Sequence, residues 1–242
     1  MNTIKIDTMG SDVKLIAHRG LSGLERENTS AAFIAAGNRE AYFGIETDVH
    51  RTADGEYVVI HDDDTFRVTG QNLIVEQTDF QTLRNLQVLD LGSDLPRADL
   101  IIPSLQEYIG ICKRYEKVAV LELKSPMPED DICRIMQVVT DMEYANQMIV
   151  ISFYPDNLFA LRKHYPDQPA QFLTVKWEDA WFDILKANNL GLDIYHETVT
   201  KELVDKFHAA GLEVNCWTVD TPKDAARVIA CGVDYITTNI LE

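Results

Sequence analysis

Val118-Ala119-Val120-Leu121-Glu122-Leu123-Lys124 is the stretch whose reading decides the fold. A short apolar run of this kind, rich in β-branched residues, predicts a strand buried on both faces, as in a parallel sheet. It ends on Glu122 and Lys124, which strand alternation places on one face. The pattern recurs: Leu15-Ile16-Ala17 runs into His18-Arg19-Gly20, the segment 44–50 carries Glu46-Thr47-Asp48, and Val58-Val59-Ile60 runs into His61-Asp62. Ionisable groups are costly to bury without partners. Apolar runs that repeatedly stop on such groups predict one shared polar site at one end of a sheet or barrel.

Outward from these runs, strand candidates fall at 14–19, 44–50, 118–124, 148–153, 170–175, 191–196, 213–219 and 233–238. Segments with helical periodicity lie between most of them, at 28–39, 104–115, 129–143, 156–164, 177–188, 200–210 and 221–231. Asn28-Thr29-Ser30 offers an N-cap, Thr221-Pro222 puts proline at a first helical position, and Gly211 and Gly232 fall where helices stop. This alternation predicts an α/β protein with right-handed crossovers, closed as a (β/α)8 TIM barrel. Residues 54–103 interrupt the pattern after the second strand. They open on an Asp54-Gly55 turn, carry Val58-Val59-Ile60 as an extra strand and 82–86 as a short helix, and predict a small insertion subdomain. The expectation is a single domain over residues 1–242. The sequence stops just after the eighth strand, so the eighth helix is expected to be absent or vestigial, with residues 1–13 covering part of the gap.

The 242 residues suffice for one full core, and 46% apolar with 25% charged residues is ordinary for a globular chain. The net charge of -17 is not ordinary. It repels nucleic-acid phosphates and anionic lipid headgroups at long range, so neither is an expected partner. A small anionic substrate needs local cations or a metal. No signal peptide and no apolar run near the ~20 residues of a membrane span is evident, so no integral membrane segment is expected. Cys112, Cys133, Cys216 and Cys231 lack C-x-x-C spacing and sit in apolar patterns. They predict buried free thiols in a reducing, cytoplasmic setting. A homo-oligomer is left open.

At a barrel mouth, Glu46, Asp48 and Glu122 would put three carboxylates around one point. A hard divalent cation, Mg2+ or Ca2+ rather than zinc, resolves their repulsion. The plainer alternative pairs Glu46 with Arg51 or Arg19, and Glu122 with Lys124, as structural ion pairs. His18 and His61 at strand ends suit proton transfer to and from oxygen. Arg19 and Lys124 suit the charge of a phosphate ester. Trp217, ending the seventh strand, is divided between core and substrate contact. His50 leads into what reads as a surface turn, His164 and His208 read as solvated helix residues, and His196 is the remaining histidine within reach of the mouth.

The ordered set His18-Arg19-Gly20, Glu27-Asn28-Thr29, Glu46-Thr47-Asp48-Val49, Asp54-Gly55, His61-Asp62, Glu122-Leu123-Lys124, Ser152-Phe153 and Trp217-Thr218-Val219 resembles the glycerophosphodiester phosphodiesterases over residues 14–240. The resemblance implies a TIM barrel with an insertion after the second strand. It implies hydrolysis of small-molecule glycerophosphodiesters, such as glycerophosphocholine or glycerophosphoethanolamine, to sn-glycerol 3-phosphate and an alcohol. Carried over, His18 and His61 are the acid/base pair, and Glu46, Asp48 and Glu122 hold one Mg2+ or Ca2+. Arg19 and Lys124 stabilise phosphate charge and Trp217 contacts substrate. Glu27 supports the site through hydrogen bonds, and Asn28 holds the start of the first helix. Three departures stand out: Arg26 where many members have proline, Thr237-Thr238-Asn239 where Thr-Asp is common, and the ending at Glu242, which removes the usual closing helix. Three rivals remain. One is a lysophospholipase-D-like phosphodiesterase with Phe66, Phe80 and Leu83 as an apolar lip; another is a non-catalytic phosphate-ester-binding barrel. The third is a magnesium-dependent carbon-acid enzyme of the aldolase or enolase kind.

Overall fold

Parallel strand pairing runs unbroken around the molecule. The structure, a computed structural model, describes residues 2–242. Its strands in chain order are β1 (Lys14–Ala17), β2 (Tyr42–Arg51), β3 (Tyr57–Val59), β4 (Val118–Leu123), β5 (Met148–Ser152), β6 (Ala170–Thr174), β7 (Gly191–Tyr195), β8 (Val214–Trp217) and β9 (Tyr235–Thr238). From β4 each strand pairs with the next as far as β9. β9 pairs with β1, β1 with β2 and β2 with β4, which closes an eight-stranded parallel barrel. β3 lies outside it, antiparallel to the end of β2. This is the (β/α)8 TIM barrel that the alternation predicts.

The helices are α1 (Ser30–Gly37), α2 (Phe66–Thr69), α3 (Phe80–Arg84), α4 (Leu105–Arg114), α5 (Glu129–Asp141), α6 (Pro155–His164), α7 (Phe182–Ala187), α8 (Lys201–His208) and α9 (Pro222–Cys231). Their starts carry side-chain caps: Thr29 on α1, a reciprocal Ser104/Glu107 box on α4, Thr200 on α8 and Thr221 on α9. α7 is shorter than the predicted 177–188, because a 3-10 turn at Asp179–Trp181 precedes it. That turn sends Trp181 onto Phe172, while Phe182 packs on Phe207.

Alternation along each strand divides the core. Outward side chains such as Ile45, Leu121 and Val150 pack against the helices with Phe33, Tyr108 and Phe207. Inward ones, Ile16, Val120, Ile149, Ile151, Leu173 and Tyr235, plug the barrel. Lys14 Nζ lies 4.6 Å from the Phe43 ring centroid and 5.2 Å from that of Tyr235 at the N-terminal ends of the strands, so the apolar plug occupies the bottom and the polar site the top.

Between β2 and α4 the chain builds a separate small core from Val58, Ile60, Val68, Val75, Leu83, Val88, Leu100 and Ile102. Arg84 ties it to the barrel by a two-pronged contact with Glu107 of α4. Leu83 is fully buried there, so it is not part of an exposed lip; Phe66 is the exposed member of that trio. After β9 no helix follows. Instead residues 240–242 pair with the N-terminal segment (Ile4 N to Ile240 O 3.0 Å, Glu242 N to Ile4 O 2.8 Å), and Leu241 is fully buried. Cys112 and Cys216 are buried free thiols, whereas Cys133 and Cys231 are only half-buried, being nearer the solvent side of their helices. Among the described residues no helix is long and apolar enough to cross a membrane.

Candidate active site

Glu46 and Asp48 project inward two residues apart on β2, and the β2–β4 register sets Asp48 opposite Glu122. All three are buried, and one carboxylate oxygen of each lies within 4.8 Å of the others. Burial, then the neighbouring Asp48 charge, drives Glu46 well above the usual carboxylate range; the same two causes push Glu122 up to about 8. Burial works against Asp48 too, but Arg19, His61 and Lys124 outweigh it and hold that carboxyl down. Lys124 Nζ sits 3.1 Å from Glu122 Oε1 and 3.7 Å from Asp48 Oδ1, and Arg19 Nε 3.5 Å from Asp48 Oδ2. Asp48 Oδ1 is nevertheless buried without a hydrogen bond. A cluster of hard oxygens with one orphaned and two resisting ionisation fits a divalent cation such as Mg2+ or Ca2+.

Of the alternative ion pairs, Glu122–Lys124 forms. Glu46–Arg51 does not, because Arg51 turns outward to Asp131 at 3.2 Å. Glu46 instead accepts from the Arg19 backbone N–H at 2.8 Å. Arg19 reaches that position at φ +55°, an uncommon conformation for a residue with a Cβ. Gly20 follows at φ +76°, where an added Cβ would lie 2.6 Å from the Ala32 backbone, so only glycine fits.

Each histidine is held from behind. His18 Nδ1 lies 2.8 Å from Asn239 Oδ1, and Asn239 Nδ2 donates to Asp220 at 2.6 Å. With the amide oriented that way, Nδ1 of His18 is the donor and Nε2 keeps a free lone pair, 4.0 Å from Glu46 Oε2. Burial and then Arg19 lower the His18 pKa to about 4. His61 Nδ1 lies 2.7 Å from Asp62 Oδ1, and burial also depresses its pKa, with Asp48 and Asp62 opposing.

One residue outside the sequence reading joins these parts. Arg67 of α2 donates to Asp62 (Nε, 2.6 Å; Nη2, 3.1 Å) and to Glu27 (Nη1, 2.7 Å; Nη2, 2.8 Å). Glu27 in turn accepts from Arg19 Nη1 at 2.9 Å. Burial opposes ionisation of both acids, but their cations hold Asp62 and Glu27 down at about 2. The available signal was that Arg67 is the only lysine or arginine between Arg51 and Arg84.

Asn28 departs from its expected place. Thr29 caps α1, while Asn28, at φ +52°, donates to Asp48 Oδ2 at 2.7 Å and accepts from Thr47 at 2.8 Å. His50 is no surface residue: β2 extends through it to pair with β3, leaving it fully buried with Nε2 3.4 Å from the His61 carbonyl. His196 is buried and accepts from Arg227, away from the cavity. His164 and His208 sit on helices against Glu129 and Asp234.

The cavity measures about 140 Å³ and is lined by His18, Arg19, Glu46, His61, Glu122 and Lys124 on one side. The other side carries Ile151, Phe153, Leu173, Asp193, Trp217 and Thr237. Asp48 does not line it, and is held by the Asn28 amide, which donates to Oδ2. Asp193, also missed in the sequence, is a lone acid in the apolar run 190–194. An open groove beside His61 continues along Asp62, Asp63, Asp64 and Tyr154.

The sequence model of the Glycerophosphoryl diester phosphodiesterase family matches residues 18–242. YhdW of Bacillus subtilis strain 168 is 34% identical over 238 residues, covering 93% of each chain. A glycerophosphodiester phosphodiesterase of Caldanaerobacter subterraneus subsp. tengcongensis is 31% identical over 233 residues, again 93% of each chain. Among solved structures, an Oleispira antarctica phosphodiesterase in complex with the product sn-glycerol-3-phosphate superposes with a TM-score of 0.85 at 25% identity, covering 93% of this chain and 92% of that one. The match starts at the first cavity histidine and takes in every residue that lines the cavity, so the chain is a phosphodiesterase of the glycerophosphoryl diester phosphodiesterase family.

Proposed function

We propose that the enzyme hydrolyses glycerophosphodiesters to sn-glycerol 3-phosphate and an alcohol, with His18 and His61 moving the protons. Glu46, Asp48 and Glu122 would hold one divalent cation, Mg2+ or Ca2+. When bound, that ion supplies Lewis-acid neutralisation of the charge that builds on the phosphoryl oxygens. The observation that carries the reading is the pair of tethered imidazoles on one cavity with three carboxylates and two cations. Lys124 and Arg19 add positive charge where the phosphate must sit. His18, with its Nε2 lone pair facing the cavity and a neutral amide behind Nδ1, suits removal of the nucleophile's proton. His61 is the better resting place for a proton, since the Asp62 carboxylate stands behind it and stabilises an imidazolium. It suits delivery to the departing alkoxide. Unpaired cysteines fit the reducing cytoplasm as its compartment.

The test is turnover of glycerophosphoethanolamine by His18→Ala and His61→Ala with saturating Mg2+ or Ca2+. Each substitution lowers kcat by about 10²–10⁴-fold while the melting temperature holds. Near-normal turnover in both would end the assignment. EDTA abolishes activity and re-addition of Mg2+ or Ca2+ restores it; full activity in the chelated enzyme would remove the three-carboxylate argument.

A further inference from the structure

Strand β9 ends beside β1, and the register that pairs Thr238 with Ala17 brings Asn239 level with His18. The Asn239 amide is engaged at both ends. Its Oδ1 lies 2.8 Å from His18 Nδ1 and accepts from the Ser22 hydroxyl at 2.7 Å, and its Nδ2 donates to Asp220 Oδ2 at 2.6 Å. Asp220 stands in the turn between β8 and α9. Its other oxygen accepts from the Asn239 backbone N–H at 2.8 Å and from the Thr238 hydroxyl at 3.1 Å. The loop after β1 is pressed against the same residue: Gly23 N donates to the Asn239 carbonyl at 2.8 Å, and a Cβ on Gly23 would lie 2.7 Å from that oxygen. Neither Asp220 nor Asn239 lines the cavity, so each acts on substrate only through His18.

A carboxylate has no hydrogen to donate, and that of Asp220 is anchored by a backbone N–H that cannot reverse. The amide must therefore turn its NH2 to Asp220 and its oxygen to His18, and an amide oxygen only accepts. The proton of the neutral imidazole is thereby confined to Nδ1, which leaves the lone pair on Nε2, 4.0 Å from Glu46 Oε2. The opposite tautomer would carry an N–H at Nε2 and could take no proton from a nucleophile there. We propose that Asp220 and Asn239 are positioning residues that lock His18 in its base-competent tautomer, Asp220 setting the direction of the amide and the amide setting the proton. The inference rests on the phosphodiesterase reading and deepens it. It also gives a reason for asparagine at a position where aspartate is common. A carboxylate there would meet that of Asp220 across the 2.6 Å now spanned by a hydrogen bond.

The test makes near-isosteric exchanges in the intact protein with saturating Mg2+. At mildly alkaline pH, where imidazoles are neutral, long-range proton–nitrogen NMR correlation on isotope-labelled histidines reads the tautomer. The His18 signal is the one that His18→Ala removes. Wild type carries the proton on Nδ1. In Asp220→Asn the backbone N–H keeps the side-chain oxygen, so an NH2 group faces Asn239, whose amide reverses and offers its own NH2 to His18. The proton moves to Nε2, and kcat on glycerophosphoethanolamine falls about 10–100-fold with KM within about threefold. Asn239→Asp alone sets two carboxylates face to face and falls likewise. Combining the two restores donor to acceptor along the chain, returns the proton to Nδ1 and recovers kcat to within about threefold of wild type. A merely structural role predicts no such recovery. Should Asp220→Asn not fold, Asn239→Ala decides: without an acceptor behind the ring, both tautomers appear. Wild-type His18 protonated on Nε2, a tautomer unmoved by Asp220→Asn or Asn239→Ala, or a double variant no better than the single ones overturns the inference. The tautomer is read without substrate, so the lock can fail while turnover stands. Absence of wild-type turnover removes the phosphodiesterase reading, and with it the catalytic meaning of the lock.

Discussion

Glu46 and Glu122 resist ionisation because each shares a buried space with Asp48. A cation reverses that, since its ligands must be carboxylates. Glu122 is raised to about 8 from an ordinary 4.5, so in the metal-free protein it is largely protonated at neutral pH. The sign follows directly. A raised folded-state pKa contributes stability that is present below pH 4.5 and lost as pH rises through about 8. Metal binding must therefore expel protons at pH 7, and apparent affinity rises from pH 6 to 8. Titration calorimetry at pH 7 in two buffers of different ionisation enthalpy reads the released protons directly; pH-independent affinity with no proton release would contradict the cluster's electrostatics. His18 behaves in the opposite sense. Its pKa, lowered from 6.5 to about 4, means stability is lost as pH falls through that interval. Asp193 and Arg67 show why single residues escape a reading by pattern. Neither belongs to a run of ionisable groups at a strand end; each is a lone ionisable residue whose meaning lies in what another segment brings to it, and burial drives the Asp193 carboxyl well above the usual range.

Among the elements, α2 has four residues and only two of them buried, yet it carries Arg67 into the site. Arg67 bridges the carboxylate behind His61 and the carboxylate behind Arg19, so the insertion positions two of the groups proposed above to act on the substrate. Arg67→Ala should lower kcat by about 10–100-fold, the usual effect of losing a group that orients site residues. It should also shift the pH–rate profile, because Asp62 loses the cation that holds it ionised. Wild-type kinetics and an unchanged profile would show that the bridge is incidental. A second expectation concerns the insertion's own core: Leu83→Ala should cost about 2–5 kcal/mol, with hydrogen-exchange protection lost first over residues 57–102. Global unfolding without that local step would show that the insertion and barrel melt as one unit. The barrel strands were legible because a strand buried on both faces has little but apolar residues to offer, as at 118–123 and 148–152. The insertion was not, apart from β3 and α3, because its core draws on isolated residues such as Val68, Val75 and Val88 with no repeating period. β2 misled at its end: Arg51-Thr52-Ala53-Asp54-Gly55 does turn, but pairing with β3 carries the strand through Arg51 and buries His50 first. By propensity Asn28 is the better N-cap than Thr29, and its left-handed backbone together with the contact to Asp48 takes it out of that role.

For the whole molecule, a closed barrel of eight strands has no free edge on its inner sheet, and its charge is spread over the outside. The net charge of -17 surrounds a mouth whose cations, Arg19, Arg67 and Lys124, are each committed to carboxylates at short range. A substrate therefore approaches through a negative field and meets positive potential only on arrival. The field extends about 30 Å at 0.01 M salt and about 8–10 Å at 0.1–0.15 M. Raising salt from about 10 to 200 mM should increase kcat/KM on the net-anionic glycerophosphoglycerol by roughly two- to fivefold, because the long-range repulsion is screened first. The zwitterionic glycerophosphocholine carries no net charge and should change much less. The same screening weakens divalent-ion binding, which the negative surface assists, so the metal must be kept saturating while rates are compared. Opposite salt slopes for metal affinity and for anionic-substrate turnover are thus the signature of this charge arrangement. A kcat/KM that falls with salt on the anionic diester, at saturating metal, would mean that the local cations at the mouth dominate the approach and that the surface charge does not reach it.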